Sequence, residues 1–182
     1  MRAAILTLTF ASLATRPASA EVVGDAVAGV AGRAASPQLG VRAGLETDAL
    51  GALVSADWTY VRGFNTVDAY EYRDRFRALA SGVLPFHLGR DTKMSIRLGA
   101  GIELARLTQR GTFPVNLPHM TTHDRDLGMT YEGALGVLFD VGGFAWGGEV
   151  GLAISLHDAP EITDNEDQRN ELFVRLVGRF SR

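Results

Sequence analysis

The chain has 182 residues, a formal net charge of −3, four histidines and no cysteine. Without a basic excess there is no electrostatic footprint for nucleic acid, and without cysteine there is neither a disulfide framework nor thiol chemistry. Beyond residue 20 no apolar run is long enough for a spanning helix, which excludes transmembrane helices but not transmembrane strands.

Residues 1–20 read as a leader. Arg2 precedes an apolar run from Ala3 to Ala14, and Ala18-Ser19-Ala20 follows. A charged start, a short apolar stretch and an A-x-A site describe a Sec signal peptide cleaved before Glu21, leaving 21–182 as a single domain.

The remainder is dominated by a period of two, the mark of strands with one apolar and one polar face. Leu39, Val41, Ala43 and Leu45 alternate with Gly40, Arg42, Gly44 and Glu46. Ala52, Val54, Ala56, Trp58 and Tyr60 form the next apolar row, then Phe76, Ala78, Ala80, Leu84, Phe86 and Leu88 opposite Arg75, Arg77 and Ser81. The clearest case is Met94, Ile96, Leu98, Ala100, Ile102 and Leu104, interleaved with Ser95, Arg97, Gly99, Gly101 and Glu103. Met129, Tyr131, Leu135, Val137 and Phe139 alternate with Thr130, Glu132, Ala134, Gly136 and Asp140. Phe144, Trp146, Val150, Leu152, Ile154 and Leu156 face Glu149, Gly151, Ser155 and His157, and Leu172, Val174, Leu176 and Phe180 face Arg175 and Arg179.

These are seven strands, each about ten residues, the length of a tilted strand across a bilayer. Short connections fall near 47–51, 89–92 and 140–143, and longer ones near 64–73, 109–126 and 158–170. Such alternation is expected of short periplasmic turns and long extracellular loops, and it requires an eighth strand before Leu39. Val22 to Ala31 is the candidate, although Gly24, Ala26, Ala28 and Gly29 carry little pattern. The expected fold is all-β, an eight-stranded antiparallel up-and-down transmembrane barrel.

In that topology Phe86, Phe139, Phe144, Trp146 and Phe180 fall at periplasmic ends, and Trp58, Tyr60 and Tyr131 at extracellular ends, as two aromatic girdles. The polar rows turn inward into a lumen that side chains can just fill. They hold Arg42, Arg75, Arg77, Arg97, Arg175 and Arg179 with Glu46, Asp57, Glu103, Glu132, Asp140 and Glu149. Unpaired buried charge is costly, so these groups are expected to form a salt-bridged ionic core rather than an open pore. Inward glycines, among them Gly40, Gly99, Gly101 and Gly151, are expected to make room for the long side chains.

Leader, alternation, loop rhythm and the terminal strand from Glu171 to Phe180 together resemble the small eight-stranded outer-membrane barrels of the OmpA/OmpX-like group, over 22–180. The resemblance implies residence in the cell outer membrane and contact with its lipid and lipopolysaccharide. It also implies recognition by the barrel assembly machinery through Glu171–Phe180, and a structural or adhesive role without catalysis or cofactor. The peptidoglycan-binding domain that some relatives append is not expected in this chain.

Motifs that could carry chemistry are weak. Ser155 and His157 share a strand face with Glu149 below them, as a lipid A-modifying barrel hydrolase would require. Residues two apart on a strand lie about 7 Å apart, however, which leaves the histidine unoriented by an acid. His119, His123, Asp124 and Asp126 cluster in the third long connection beside Pro114 and Pro118, where no helix sets a metal-ligand spacing. Asp158, Glu161, Asp164, Glu166 and Asp167 lack the ordered spacing of a calcium loop. The long loops are the expected place for an extracellular ligand. A narrow pore and a soluble periplasmic lipocalin-type barrel stand as alternatives, the latter demanding a polar exterior and an apolar interior.

Overall fold

A computed structural model describes residues 20–32, 35–65, 70–111, 120–156 and 170–181. Residues 1–19, where a leader is expected, lie outside the described residues, as do His119, His157 and the acidic segment at 158–167.

Among the described residues eight strands follow one another: β1 (Glu21–Ala31), β2 (Ser36–Glu46), β3 (Gly51–Asn65), β4 (Tyr70–His87), β5 (Thr92–Gly111), β6 (Met120–Asp140), β7 (Phe144–Leu156) and β8 (Asn170–Ser181). Each pairs antiparallel with its neighbours in sequence, and β1 pairs with β8 to close the barrel. The weakly patterned first segment therefore completes the ladder, from Val23↔Ser181 to Ala31↔Phe173. Its small outward residues blur the alternation, but its inward row (Val23, Asp25, Val27, Ala31) is buried. Closure leaves no edge strand unpaired, so every strand has a partner on both sides.

The period-two rows face as a membrane barrel requires. Leu98, Leu135, Leu172 and Leu176 point outward and are at least half exposed, while arginines and carboxylates of the same strands are buried inside. A soluble lipocalin-type barrel would reverse these faces, and the geometry overturns that alternative. Inside, small apolar clusters (Val23, Leu53 and Val83; Ala31, Ala134, Ala153 and Phe173) fill space between the charged groups.

Two segments read as long loops are strand. β3 continues through Asn65 and β4 begins at Tyr70, which shrinks the 64–73 connection to 66–69. Likewise β5 and β6 extend through Gly111 and from Met120, so most of 109–126 is paired strand. Polar side chains hid these extensions, because beyond the bilayer both faces of a strand can be wet and alternation fades. β5 and β6 have 20 and 21 residues, against 13 for β7 and 12 for β8. About 9–11 residues suffice to span. The wall is therefore tall on the β3–β6 side and low on the β7–β2 side.

At the opposite end the turns are tight. The Thr47 hydroxyl accepts from the amides of Ala49 and Leu50 at 3.3 and 3.1 Å. The Asp140 carboxylate accepts from the Gly142 amide at 2.9 Å, and Gly142 and Gly143 take the left-handed conformation that a glycine tolerates. Asp140 is exposed and serves this turn, which corrects its expected place in the lumen.

Not every inward glycine makes room for a side chain. A Cβ at Gly101 would lie 1.9 Å from the carbonyl oxygen of Ala78 on β4, so backbone approach excludes it. Outward Gly82 has open space around its would-be Cβ. Gly101→Val should therefore abolish the faster-migrating unboiled band of a folded barrel in gel electrophoresis, while Gly82→Ala should retain it.

Candidate functional site

The β-strand period delivers the inward charges, and the register decides which of them meet. Near the mouth with the short turns, Arg179 on β8 grips Asp25 on β1 with two bonds of 2.7 and 2.9 Å and reaches Glu46 on β2 at 2.6 Å. Lys93 also pairs with Glu46. Two bonds from one guanidinium to one carboxylate hold orientation as well as charge.

The middle of the lumen is a cluster centred on Glu149 and Glu132. Glu149 receives two bonds from Arg42, at 2.8 and 3.0 Å, and two from Arg97, at 2.8 and 3.2 Å. Glu132 receives two from Arg175, at 2.7 and 2.8 Å, and a further bond from Arg97. Arg175 also donates to Glu149 at 3.2 Å and to Gln38 at 2.8 Å, and its guanidinium lies 3.7 Å above the Phe173 ring. It is 1% exposed. This group ties β2, β5, β6, β7 and β8 together across the barrel, through partners up to 137 residues apart in sequence.

Above it, Arg77 bridges Glu103 and Glu171, and Arg75 also holds Glu171. The Ser155 hydroxyl donates to Glu103 at 3.0 Å and lies 3.2 Å from Thr130 Oγ1. Ser155 is thus a buried member of the polar network. Its expected partner His157 lies outside the described residues.

The structure brings together seven of the eight residues singled out as the ionic core: Arg42, Arg77, Arg97, Glu103, Glu132, Glu149 and Arg175. Asp57 is also buried, but its nearest guanidinium contact is Arg175 at 4.0 Å, and among the described residues neither of its oxygens has a hydrogen-bond partner. A Cβ at Gly40 would lie 2.2 Å from an Asp57 oxygen, so here the glycine does yield space to a carboxylate. Gln38 Nε2, Ser55 Oγ and Thr59 Oγ1 on the same β2–β3 wall also lack partners among the described residues. That wall offers donors and acceptors suited to water.

Sequence reasoning missed Asp25 and Glu171. Strand parity would have found Glu171, which shares the inward row of Phe173, Arg175 and Arg179. Asp25 sat in a segment whose alternation was too faint to assign a face. With both included, the carboxylates Asp25, Glu46, Asp57, Glu103, Glu132, Glu149 and Glu171 face the guanidiniums of Arg42, Arg75, Arg77, Arg97, Arg175 and Arg179 and the Lys93 ammonium.

The aromatic residues fall into groups on the outer surface. Phe139 and Trp146 have centroids 5.9 Å apart, and Phe144 and Phe180 are 5.0 Å apart, next to the short turns. Phe86 is exposed there as well. At the tall end Trp58, Tyr60 and Tyr72 form a ladder with spacings of 6.2 and 6.0 Å. Tyr131 is exposed, opposite Ala100 and Ile154 and away from that ladder. His123 is exposed and contacts Thr108 at 3.2 Å. Among the described residues no three histidines or carboxylates are arranged to hold a metal ion.

Removing one member of a buried pair strands its partner, at a cost of about 3–5 kcal/mol. Glu149→Leu strands Arg42 and leaves Arg97 and Arg175 to share Glu132 alone, whereas Arg42→Met leaves a Glu149 that keeps two other guanidiniums. Urea unfolding of the lipid-embedded barrel should show a larger loss for Glu149→Leu than for Arg42→Met. Exposed Arg90→Gln should stay within about 0.5 kcal/mol of the parent.

Neither a protein-family model nor a curated protein sequence matches the chain. Solved structures do. A major outer membrane protein from Thermus thermophilus aligns with 15% identity over 90% of this chain and 100% of that one, with a TM-score of 0.61. Neisserial surface protein A aligns at 14% identity and a TM-score of 0.55, and Ail, the attachment invasion locus protein of Yersinia pestis, at 12% and 0.54. Both alignments cover 91% of this chain and 99% of the other. The shared feature is the fold of small outer-membrane barrels.

Proposed function

We propose that the protein stands in the outer membrane as a closed, non-catalytic barrel with a structural and adhesion-like role, presenting its tall β3–β6 wall at the cell surface. The observation that carries this reading is the division of labour between lumen and wall. The lumen is crossed by guanidinium–carboxylate pairs from Arg179 to Arg75, which ties up most of its charged groups. Among the described residues β3 to β6 meanwhile continue well past the length a bilayer needs. Extra paired strand beyond the membrane is rigid surface that spanning does not require, and rigid exposed surface suits contact with a partner.

The likeness to Ail supports the same direction, since that protein is described as an attachment invasion locus protein and has been crystallised in complex with the heparin analogue sucrose octasulfate. Export through the leader at residues 1–20 and assembly through the terminal strand Glu171–Phe180 belong to this reading. Ser155 bound to Glu103 and Thr130 gives no support to a lipid A-modifying hydrolase.

A narrow pore is the second reading, favoured by the partnerless polar atoms of Gln38, Asp57 and Thr59 along one wall. Planar-bilayer recording separates the two. Folded protein should leave the membrane silent, and steady unitary conductance would establish the pore instead. For the adhesive role, bacteria displaying the protein should attach to host cells in greater number than bacteria displaying a form in which 106–125 is replaced by a tight turn. Equal attachment with both barrels folded would defeat it.

A further inference from the structure

Near the short-turn mouth, one zone of the lumen is apolar on most sides. Val23 on β1, Leu53 on β3, Val83 on β4, Leu138 on β6 and Val177 on β8 all point inward and are buried. Val23, Leu53 and Val83 form one cluster. Two of the remaining strands yield space to this ring through glycine. A Cβ at Gly44 on β2 would lie 2.8 Å from Leu53 Cδ2, so the leucine occupies the room a side chain would need there. A Cβ at Gly147 on β7 would lie 1.8 Å from the Val137 carbonyl oxygen, so that strand adds no side chain either.

This collar separates two ionic layers. On the short-turn side Arg179 holds Asp25 and Glu46, beside a polar cavity of about 180 Å³ that Val23 and Leu138 also line. On the other side Glu149 holds Arg42 and Arg97. Between the layers lies a void of about 20 Å³, lined by Leu53, Val83, Leu138 and Val177 together with the pairs themselves. That is room for about one water molecule. The other two inward apolar clusters are one-sided: Ala31, Ala134, Ala153 and Phe173 come from four neighbouring strands, and Ala105 and Leu107 from β5 alone.

The two kinds of layer oppose an ion differently. Glu149 is bonded to Arg42, Arg97 and Arg175, and Glu46 pairs with Arg179 and Lys93. With partners shared in this way, a passing ion can replace one contact while the others stay. An apolar ring offers no oxygen or N–H in place of lost hydration, and a charge buried there without partners is costly. Apolar constrictions of this kind close channels by shedding water. We infer that the collar of Val23, Leu53, Val83, Leu138 and Val177, and not the salt bridges beside it, is the barrier that shuts this lumen to ions. The inference rests on the closed-barrel reading proposed above and assigns the closure to named residues.

Planar-bilayer recording on the full barrel tests the collar with substitutions that keep side-chain volume and change polarity. Leu53→Asn/Val83→Thr should give resolved unitary steps where the parent is silent, and Val83→Thr alone should give rarer ones. Leu53→Ile leaves the ring apolar and should be silent. Arg179→Gln removes the mouth pair, leaves the collar whole and should be silent as well. Each variant is recorded only if it keeps the faster-migrating unboiled band of a folded barrel. Val83→Thr, which exchanges one methyl for a hydroxyl, carries the test if the double variant does not fold. Silence of every folded polar variant would overturn the collar, as would conductance of Leu53→Ile. Conductance of Arg179→Gln equal to that of the polar variants would overturn it too, by placing the barrier in the ion pairs. A conducting parent would defeat the closed barrel itself, whereas silent polar variants beside a silent parent defeat only the part given to the collar.

Discussion

Closure is the constraint on which the rest of the structure depends. A strand in hydrocarbon cannot leave amide or carbonyl groups unpaired, so the sheet must return to its own first strand. The β1–β8 ladder meets that demand, and it also creates an interior cut off from both lipid and bulk water. Once eight strands have closed, the polar face of each has nowhere to go except into a space of side-chain width. Charge there must be matched locally, by the arginine–carboxylate pairs that run from Arg179 near one mouth to Arg75 toward the other.

That network serves specificity as much as stability. Replacing a buried ion pair with apolar residues often costs nothing, but breaking one is expensive. Glu149 makes bonds to arginines on three other strands, and Arg175 joins Glu132, Glu149 and Gln38. A slip of one residue in any ladder would turn each charge out toward lipid and bring leucine into the lumen. The pairs thus penalise misregistration, and the outward apolar rows penalise it a second time. Apolar inward residues such as Phe173 and Leu53 fill the gaps that fixed guanidinium geometry leaves.

The asymmetry of the wall gives the two ends different work. At the low end, tight turns and packed aromatic rings anchor the barrel. At the tall end the strands outrun the bilayer, and their outer face passes from leucine to exposed polar groups. Lumen, lipid-facing band and projecting wall are therefore three chemically separate surfaces built from one repeated strand.

The period of two from Met94 to Leu104 was enough to assign strand, face and fold class, because lipid and lumen impose opposite chemistry on alternate residues. It also identified Arg97, Glu103, Glu132 and Glu149 as inward groups, since charge cannot face hydrocarbon. Alternation is silent where one row is made of small residues, as in Val22–Ala31, and where polar residues occupy both rows, as in 108–110 and 121–126. Asp25 and the true length of β5 and β6 were hidden for those reasons. Turn chemistry hid Asp140, whose carboxylate bonds the Gly142 amide instead of entering the lumen. What only the tertiary structure decided is partnership: Arg42 with Glu149, Arg179 with Asp25. Sequence period tells which way a side chain points, whereas register and closure around the barrel determine which distant residues share a level.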